Sequence, residues 1–551
     1  MTAHLPVRDA AMHPAAEMYA REVSAGQMSR REFLTRATAL GVTAPAAYGL
    51  LGLAAPGVAR AQGTQGGTLR MQMELKGLKD PRTADWSQIS NFTRGWLEYL
   101  VESNNGGAFR GMLLDSWTPN HSAPEYMLTR RQGVTWSNGD PFTAEDVVRN
   151  IERWCDGTVE GNSMAGRMAA LVDADTKKMR AGAATAVDAN TVKLVLSAPD
   201  ITIIPGMADY PAAIVHSSYE SGDPTANPIG TGPYKPEVFE TGIRAKLVRD
   251  DSRPWWGTAV YGGPYLDAIE YIDLGSDPAA WVAAAGSDEI DITYQSTGEF
   301  IRVLDGLGWT KSEAVTASTL AVRFNQLADE YKDVNVRRAL TMAVDNEVVL
   351  ELGYAGLGTV AENHHVCPIH PEYAELPPPV TDPAKAKEMI DAAGMADFEF
   401  ELISLDNDWE AATCDAVAAQ VRDAGIKVKR TVLPGSTFWN DWLKYPWSST
   451  EWNMRPLGVQ ILALAYRSGE AWNESAFSNA EFDAKLAEAL SIADADKRRV
   501  VMRDIQLIMQ NEGVLIQPYW RSIYRHFNPS VKGADMHATF EHHHYKWWID
   551  A

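Results

Sequence analysis

Strand and helix patterns alternate from about residue 66 to the C-terminal region, and this alternation confines the chain to an α/β architecture. GGTLRMQM (66–73) opens in a turn and becomes strand-like, and FTRGWLEYLV (92–101) reads as a helix. EYMLTRRQGVTWSNGD (125–140) reads as two strands joined by a turn and closed at Asn138-Gly139. Thr143 and Asp146 then form a capping-box variant, and Val147, Val148, Ile151 and Trp154 fall on one helical face. TVKLVL (191–196) and LAVRFN (320–325) are strand patterns, and DPAAWVAAA (277–285) is a helix started by an Asp cap and Pro. NVRRALTMAVDNEVVLELGY has helical spacing, and DPAKAKEMIDAAG (382–394) is a helix stopped by Gly. Strand FEFELI, a helix through AVAAQVRDAG, strand IKVKRTV and helices over 480–494 and 498–512 complete the second half. The Pro-rich stretch 367–383 is expected to be a superficial loop.

A chain of 551 residues holds more than one lobe, and 45% hydrophobic with 22% charged residues is ordinary globular composition. The net charge of −22 argues against nucleic acid, whose binding rests on Lys and Arg neutralising phosphates. No basic cluster suggests lipid headgroups. Cys155, Cys367 and Cys414 cannot form a disulfide framework, and no C-x-x-C metal spacing occurs.

SRREFLTRATALG (29–41) resembles a twin-arginine export signal: Ser29, Arg30, Arg31, Phe33 and Leu34 match the pattern, while Thr35 replaces its lysine. The following run is Ala/Gly-rich, free of acids, and ends in Ala59-Arg60-Ala61, an A-x-A cleavage signal. Residues 1–61 are therefore expected to be a cleaved leader. They carry six Arg and four acids, so the remainder has a net charge of −24. No lipoprotein Cys stands at the cleavage site, which favours a freely diffusing periplasmic protein.

Four motifs follow in order: GVTWSNGDPFTAEDV (133–147), NPIGTGPY (227–234), WWGTAVYGGPYLD (255–267) and VRRALTMAVD (336–345). Their order and spacing are similar to those of the family-5 solute-binding proteins of ABC importers, the group holding dipeptide-, oligopeptide- and nickel-binding proteins. The resemblance covers roughly 66–531. It implies a bilobal periplasmic-binding-protein type II fold with an additional subdomain. Lobe one would comprise 62–105, 226–318 and 516–551, the extra subdomain 106–225, and lobe two 319–515. It also implies a monomer that captures a peptide or peptide-like solute between the lobes and delivers it to ABC permease and ATPase subunits, without a cofactor. The motifs themselves read as structural: Gly230 and Gly232 supply backbone freedom, TAEDV starts a helix, and VRRAL is an amphipathic core helix with Arg337 and Arg338 solvated or salt-bridged.

The rival class is an exported hydrolase or metal-binding protein. H-E-x-x-H, G-x-S-x-G, S-x-x-K and P-loop patterns are absent, and GLGTVA (356–361) lacks the strand–turn–helix context of a dinucleotide site. Asp250-Asp251 is read as a solvated pair. HHVCPIH (364–370) and FEHHHYKWW (540–548) group histidines, but adjacent residues of a strand face opposite sides, so both are read as satisfied surface or interlobe His. No catalytic residue and no metal ligand is assigned.

For the solute, Trp452, Asn453 and Arg455 are the candidates on one lobe and Trp86 on the other. By the resemblance, an aromatic residue at position 452 lies beside the ligand, and peptide-binding relatives carry an Asp just after it that pairs with the α-amino group. Here Arg455 stands about where that carboxylate would be. An Arg is a planar fork that grips carboxylate or phosphate, so an anionic group is expected: a peptide carboxylate, an opine-like conjugate or an acidic oligosaccharide. The alternative is a salt bridge from Arg455 to Glu451 or Glu474.

Overall fold

The computed structural model describes residues 14–26, 28–53, 63–105, 107–120 and 124–550. The Ala59-Arg60-Ala61 cleavage signal lies outside them. Helices Pro14–Ser24, Arg30–Ala39 and Ala44–Leu50 precede the body, the second and third started by the side chains of Ser29 and Thr43. Tyr19, Phe33, Leu34 and Ala47 bury together against Ala108. Arg30 is exposed over the Tyr48 ring, and Arg31 donates to Val315 O at 2.9 Å. No described helix is long and apolar enough to cross a membrane.

A twelve-stranded sheet organises the body. At one end Thr68–Gln72 lies parallel to both Ala268–Ile272 and Ile292–Thr293. At the other, Phe400–Leu405 lies parallel to Val428–Leu433 and to Trp447–Trp452. Two long antiparallel strands, Thr310–Phe324 and Tyr519–Phe527, join these halves. Phe527 pairs with Thr310 and with Ile292 of the first half, while Phe324 pairs with Trp447 of the second. The register shifts between Val315 and Ser318, so a bulge sits midway along the connection.

A separate four-stranded antiparallel sheet is built from Leu114–Asn120, Glu125–Arg130, Thr191–Val195 and Ala184–Ala186. Helix Ala144–Trp154 packs on it through Val147, Ile151 and Trp154, with Thr143 and Asp146 completing the capping box. Its core is continuous with the one around Leu69, Met71, Trp96 and Tyr271 in the first half. The second half has its own cores, on opposite faces of its strands.

Several local expectations change. Residues 92–101 are not a helix: helix Ser87–Thr93 ends, and strand Val101–Ser103 follows. The carbonyls of Gly95 and Trp96 accept from Tyr234 N and Gly232 N, at 2.9 Å each, instead of from the next helical turn. The pattern from 335 to 354 splits into helices Val334–Met342 and Asn346–Tyr354. Asp345 caps the second by accepting from Glu347 N, an alternative to continuing the first. The 125–140 hairpin keeps only the strand Glu125–Arg130 and one Thr135–Pro141 bridge. The 367–383 loop is not superficial throughout, because Cys367, His370 and Glu372 are buried. Glu372 accepts from Val459 N at 2.8 Å and faces Arg498 at 3.5 Å, which fixes the loop to two helices. Asp250 is likewise paired, with Arg253 and Lys235. All three cysteines are buried and free.

Candidate functional site

A cleft lies where the two halves of the sheet face each other. Trp86, Ser87 and Tyr294 line it from the first half, and Trp439, Trp452 and Arg455 from the second. Tyr210 reaches it from the segment carrying the four-stranded sheet. Aromatic walls with polar and charged groups set among them suit a polar organic ligand.

Local sequence positions each wall. Trp86 stands at the N-cap of helix Ser87–Thr93, held by the turn Pro81–Thr83 that Asp80 caps. It meets Trp439 edge-on across the cleft, ring centroids 4.1 Å apart. Trp452 ends strand Trp447–Trp452, paired with Thr319 of the long connecting strand. Its indole N–H donates to Glu474 Oε1 at 2.8 Å, and Glu474 also accepts from Arg323 Nε at 3.0 Å and from Thr450 Oγ1. Asn453 Nδ2 donates to Ser87 Oγ of the opposite wall at 3.3 Å, and Ser87 Oγ lies 2.7 Å from the Tyr294 hydroxyl. The sequence candidates Trp86, Trp452, Asn453 and Arg455 thus line one cavity.

Arg455 is buried, but its salt-bridge partner is neither Glu451 nor Glu474. Its Nε donates to Asp209 Oδ2 at 2.8 Å, and Nη1 donates to Asn453 O at 2.9 Å. Glu451 instead pairs with Arg521, and Glu474 with Arg323. Asp209 also takes Arg167, 2.6 Å from its Nη2. Burial alone would raise the Asp209 carboxyl, but the two guanidiniums hold it below its ordinary range. One carboxylate between two guanidiniums leaves this end of the cleft with one positive charge over.

The Trp86–Trp439 end carries groups that motif reading misses. Lys76 follows strand Thr68–Gln72 in a stretch without regular structure, and its Nζ is wholly out of solvent with no hydrogen-bond acceptor. It lies against the Trp86 ring and 4.4 Å from the Trp439 centroid. Burial pushes its pKa well down, with Glu74 opposing. Glu410, buried near the start of helix Asp408–Asp423, receives Asn407 Nδ2 at Oε1 (2.8 Å), while its Oε2 has no partner. Burial raises its carboxyl to about 7. A lone acid or lysine has no sequence signature, and only the fold brings these to the cleft.

The histidine clusters are not at the surface. His364, His365 and His370 are buried and held separately, by Glu362, the Tyr466 hydroxyl and Arg455 O. Among the described residues, one set brings possible metal ligands together: His537, Glu541 and His543, with ligand atoms within 4.8 Å of one another. They lie in irregular backbone rather than in a strand, so facing is not alternate. Each already has partners: His543 Nε2 sits 3.0 Å from Glu541, Lys546 Nζ is 2.8 Å from His543 Nδ1, and Thr539 Oγ1 is 2.9 Å from His537 Nδ1.

Residues 108–473 match the family model for bacterial extracellular solute-binding proteins, family 5. A probable peptide ABC transporter periplasmic-binding protein of Sinorhizobium fredii is 24% identical over 490 residues, covering 82% of this chain and 89% of that one. Among solved structures, the oligopeptide-binding protein AppA of Bacillus subtilis, in complex with a nonapeptide, superposes with a TM-score of 0.77 at 18% identity. The alignment covers 89% of this chain and all of that one. The binding protein AgaA of A. tumefaciens R10, in complex with agropinic acid, gives a TM-score of 0.77 at 18% identity, covering 88% and 99%. At these identities the likeness establishes the bilobal type II fold.

Proposed function

We propose, from the premise that the chain belongs to the bacterial extracellular solute-binding proteins of family 5, that it captures a peptide or peptide-like solute in the Trp86–Trp452 cleft and hands it to a membrane permease. The observation that carries this reading is that both halves of the sheet furnish opposing aromatic walls around one cavity, with Asn453 and Ser87 bonded across it. A ligand that touches both walls binds the closed form better and so shifts the equilibrium towards it. The bulge between Val315 and Ser318, midway along the connecting strand, is the natural place for the bend. The lobes would then meet near residues 318–319 and 515–516, with 106–225 as the added subdomain.

In this reading Trp452 walls the solute and the Arg455 end takes an anionic group. Replacing Trp452 by Ala should lower affinity about tenfold, or about 1.4 kcal/mol, and an unchanged affinity would remove Trp452 from the site. The solute itself is to be identified by denaturing the purified protein and weighing what it releases. Release of a small organic compound that rebinds and alters Trp fluorescence supports the reading. Catalytic turnover, or stoichiometric metal with no organic compound, overturns it.

The leader reading adds export through the twin-arginine route, cleavage near Ala61, and a monomer free in the periplasm. Changing Arg30 and Arg31 together to Lys should leave the precursor in the cytoplasm, scored by fractionation. Unimpaired export of that variant would refute the route.

A further inference from the structure

The charges around the cleft pair off unevenly. Lys79 answers Asp85 at 2.7 Å, Arg521 answers Glu451, and Asp209 answers Arg455 and Arg167. Glu74, Glu410 and Lys76 remain at the Trp86–Trp439 end, without an ion pair within salt-bridge distance among the described residues. An amino group buried without any acceptor is an expensive arrangement whether it keeps its proton or gives it up, and Lys76 lies against two aromatic faces that replace only part of its hydration. Glu410 Oε2 is a buried acceptor with nothing to accept from. The two deficits are complementary to one ligand group: a cation placed against the indoles and within reach of the carboxylates.

Resting on the reading of the cleft as the solute site, we propose that Trp86, Trp439, Glu74 and Glu410 form a subsite for a cationic group of the solute, a substituted ammonium or a guanidinium, and that Lys76 fills it in the ligand-free protein as a resident substitute. The geometry allows the exchange. Lys76 lies on a stretch without regular structure, next to exposed Gly77, and its unbranched stem can withdraw its ammonium to water. The arriving cation then gains the faces Lys76 leaves, and Lys76 regains its hydration. Together with the surplus positive charge at the Arg455–Asp209–Arg167 end, this polarises the cleft for a solute with a cation at one end and an anion at the other.

The test is titration of the purified mature protein by tryptophan fluorescence and calorimetry, using isosteric pairs that differ in charge: choline with 3,3-dimethylbutan-1-ol, and alanyl-ornithine with alanyl-norleucine. The proteins are wild type, Lys76→Met and Glu410→Gln, each checked for an unchanged thermal midpoint within a few degrees. At least one cationic member should bind ten-fold or more tighter than its neutral partner. Lys76→Met should tighten that binding several-fold by vacating the subsite, and Glu410→Gln should weaken it about ten-fold. Equal binding of the pairs, no binding by either cation, or a loss of affinity in Lys76→Met would overturn the subsite. The last result would mean that Lys76 grips an anion of the solute. Because these outcomes concern charge preference alone, the importer reading survives them if the denatured protein releases a small solute, and falls with them if it releases none.

Discussion

Replacing Asp209 by Ala should destabilise the protein by about 3–5 kcal/mol, the range for breaking a buried ion pair from one side. The side chains of Asp209, Arg167 and Arg455 are each under 10% exposed, so the variant leaves two guanidiniums facing each other without a counter-charge. Arg455 also rests over the Tyr210 ring and Arg167 over Trp472, so neither can leave without unpacking the cleft wall. The measurement is the urea midpoint of the mature protein. A second variant separates charge from packing: Arg167→Met, Asp209→Leu and Arg455→Met together should regain much of the loss, since an apolar replacement of a whole buried ionic cluster is often neutral. An unchanged midpoint for Asp209→Ala would mean that the pairing contributes nothing net. The pH dependence has a fixed sign. The folded pKa of Asp209 lies below its unfolded value of about 3.9, so its contribution is complete above that value and is lost as pH falls through the folded pKa. The alanine variant lacks that part of the acid dependence.

This triad also marks the limit of what the sequence could show. Arg455 was readable as a departure at a position where relatives carry an acid. The choice of Asp209 as its partner was not, because the two lie 246 positions apart and meet only when the segment after the four-stranded sheet folds back onto the cleft. Elements with local causes were readable: the Thr143–Asp146 capping box, the Asp277-Pro278 helix start and the 382–394 helix all have their signals within four residues. Elements with remote causes were not. FTRGWLEYLV has helical spacing, yet two of its carbonyls serve the 230–234 loop. The tail histidines appear solvated by composition, yet His542 and His544 are buried around Tyr271. Trp452 is legible as a candidate through the family resemblance, and Trp86 through its loop after the first strand. Lys76 and Glu410 are not, since a charged residue becomes notable only when its surroundings fail to pair it.

The GTGPY loop gives the second large effect: Gly230→Ala should cost about 3 kcal/mol or more, at the upper end for overpacking. Sequence alone suggests that Gly230 is there for backbone freedom, but it is not among the residues with positive φ. Space is what it saves. A methyl group at Gly230 would sit 1.9 Å from Trp96 O and 2.6 Å from the Trp96 carbonyl carbon. These are backbone atoms, so no rotamer change relieves the clash. The loop cannot retreat cheaply either. Ser137 N donates to Gly230 O at 2.8 Å, and Gly232 N donates to the same Trp96 carbonyl at 2.9 Å. Retreat would break both, and Trp96 is itself almost fully buried in the first-half core. The same loop feeds the edge strand Tyr234–Glu240, so the damage should spread into the sheet whose strand Thr68–Gln72 precedes Lys76 and Trp86. Gly286→Ala is the matched control. Gly286 closes the helix Pro278–Gly286 with nothing within 4 Å of an added methyl, so helix propensity predicts a gain of up to about 1 kcal/mol there. The two alanines should move the urea midpoint in opposite directions, and a Gly230→Ala protein as stable as wild type would show that the close approach to Trp96 is not what selects glycine.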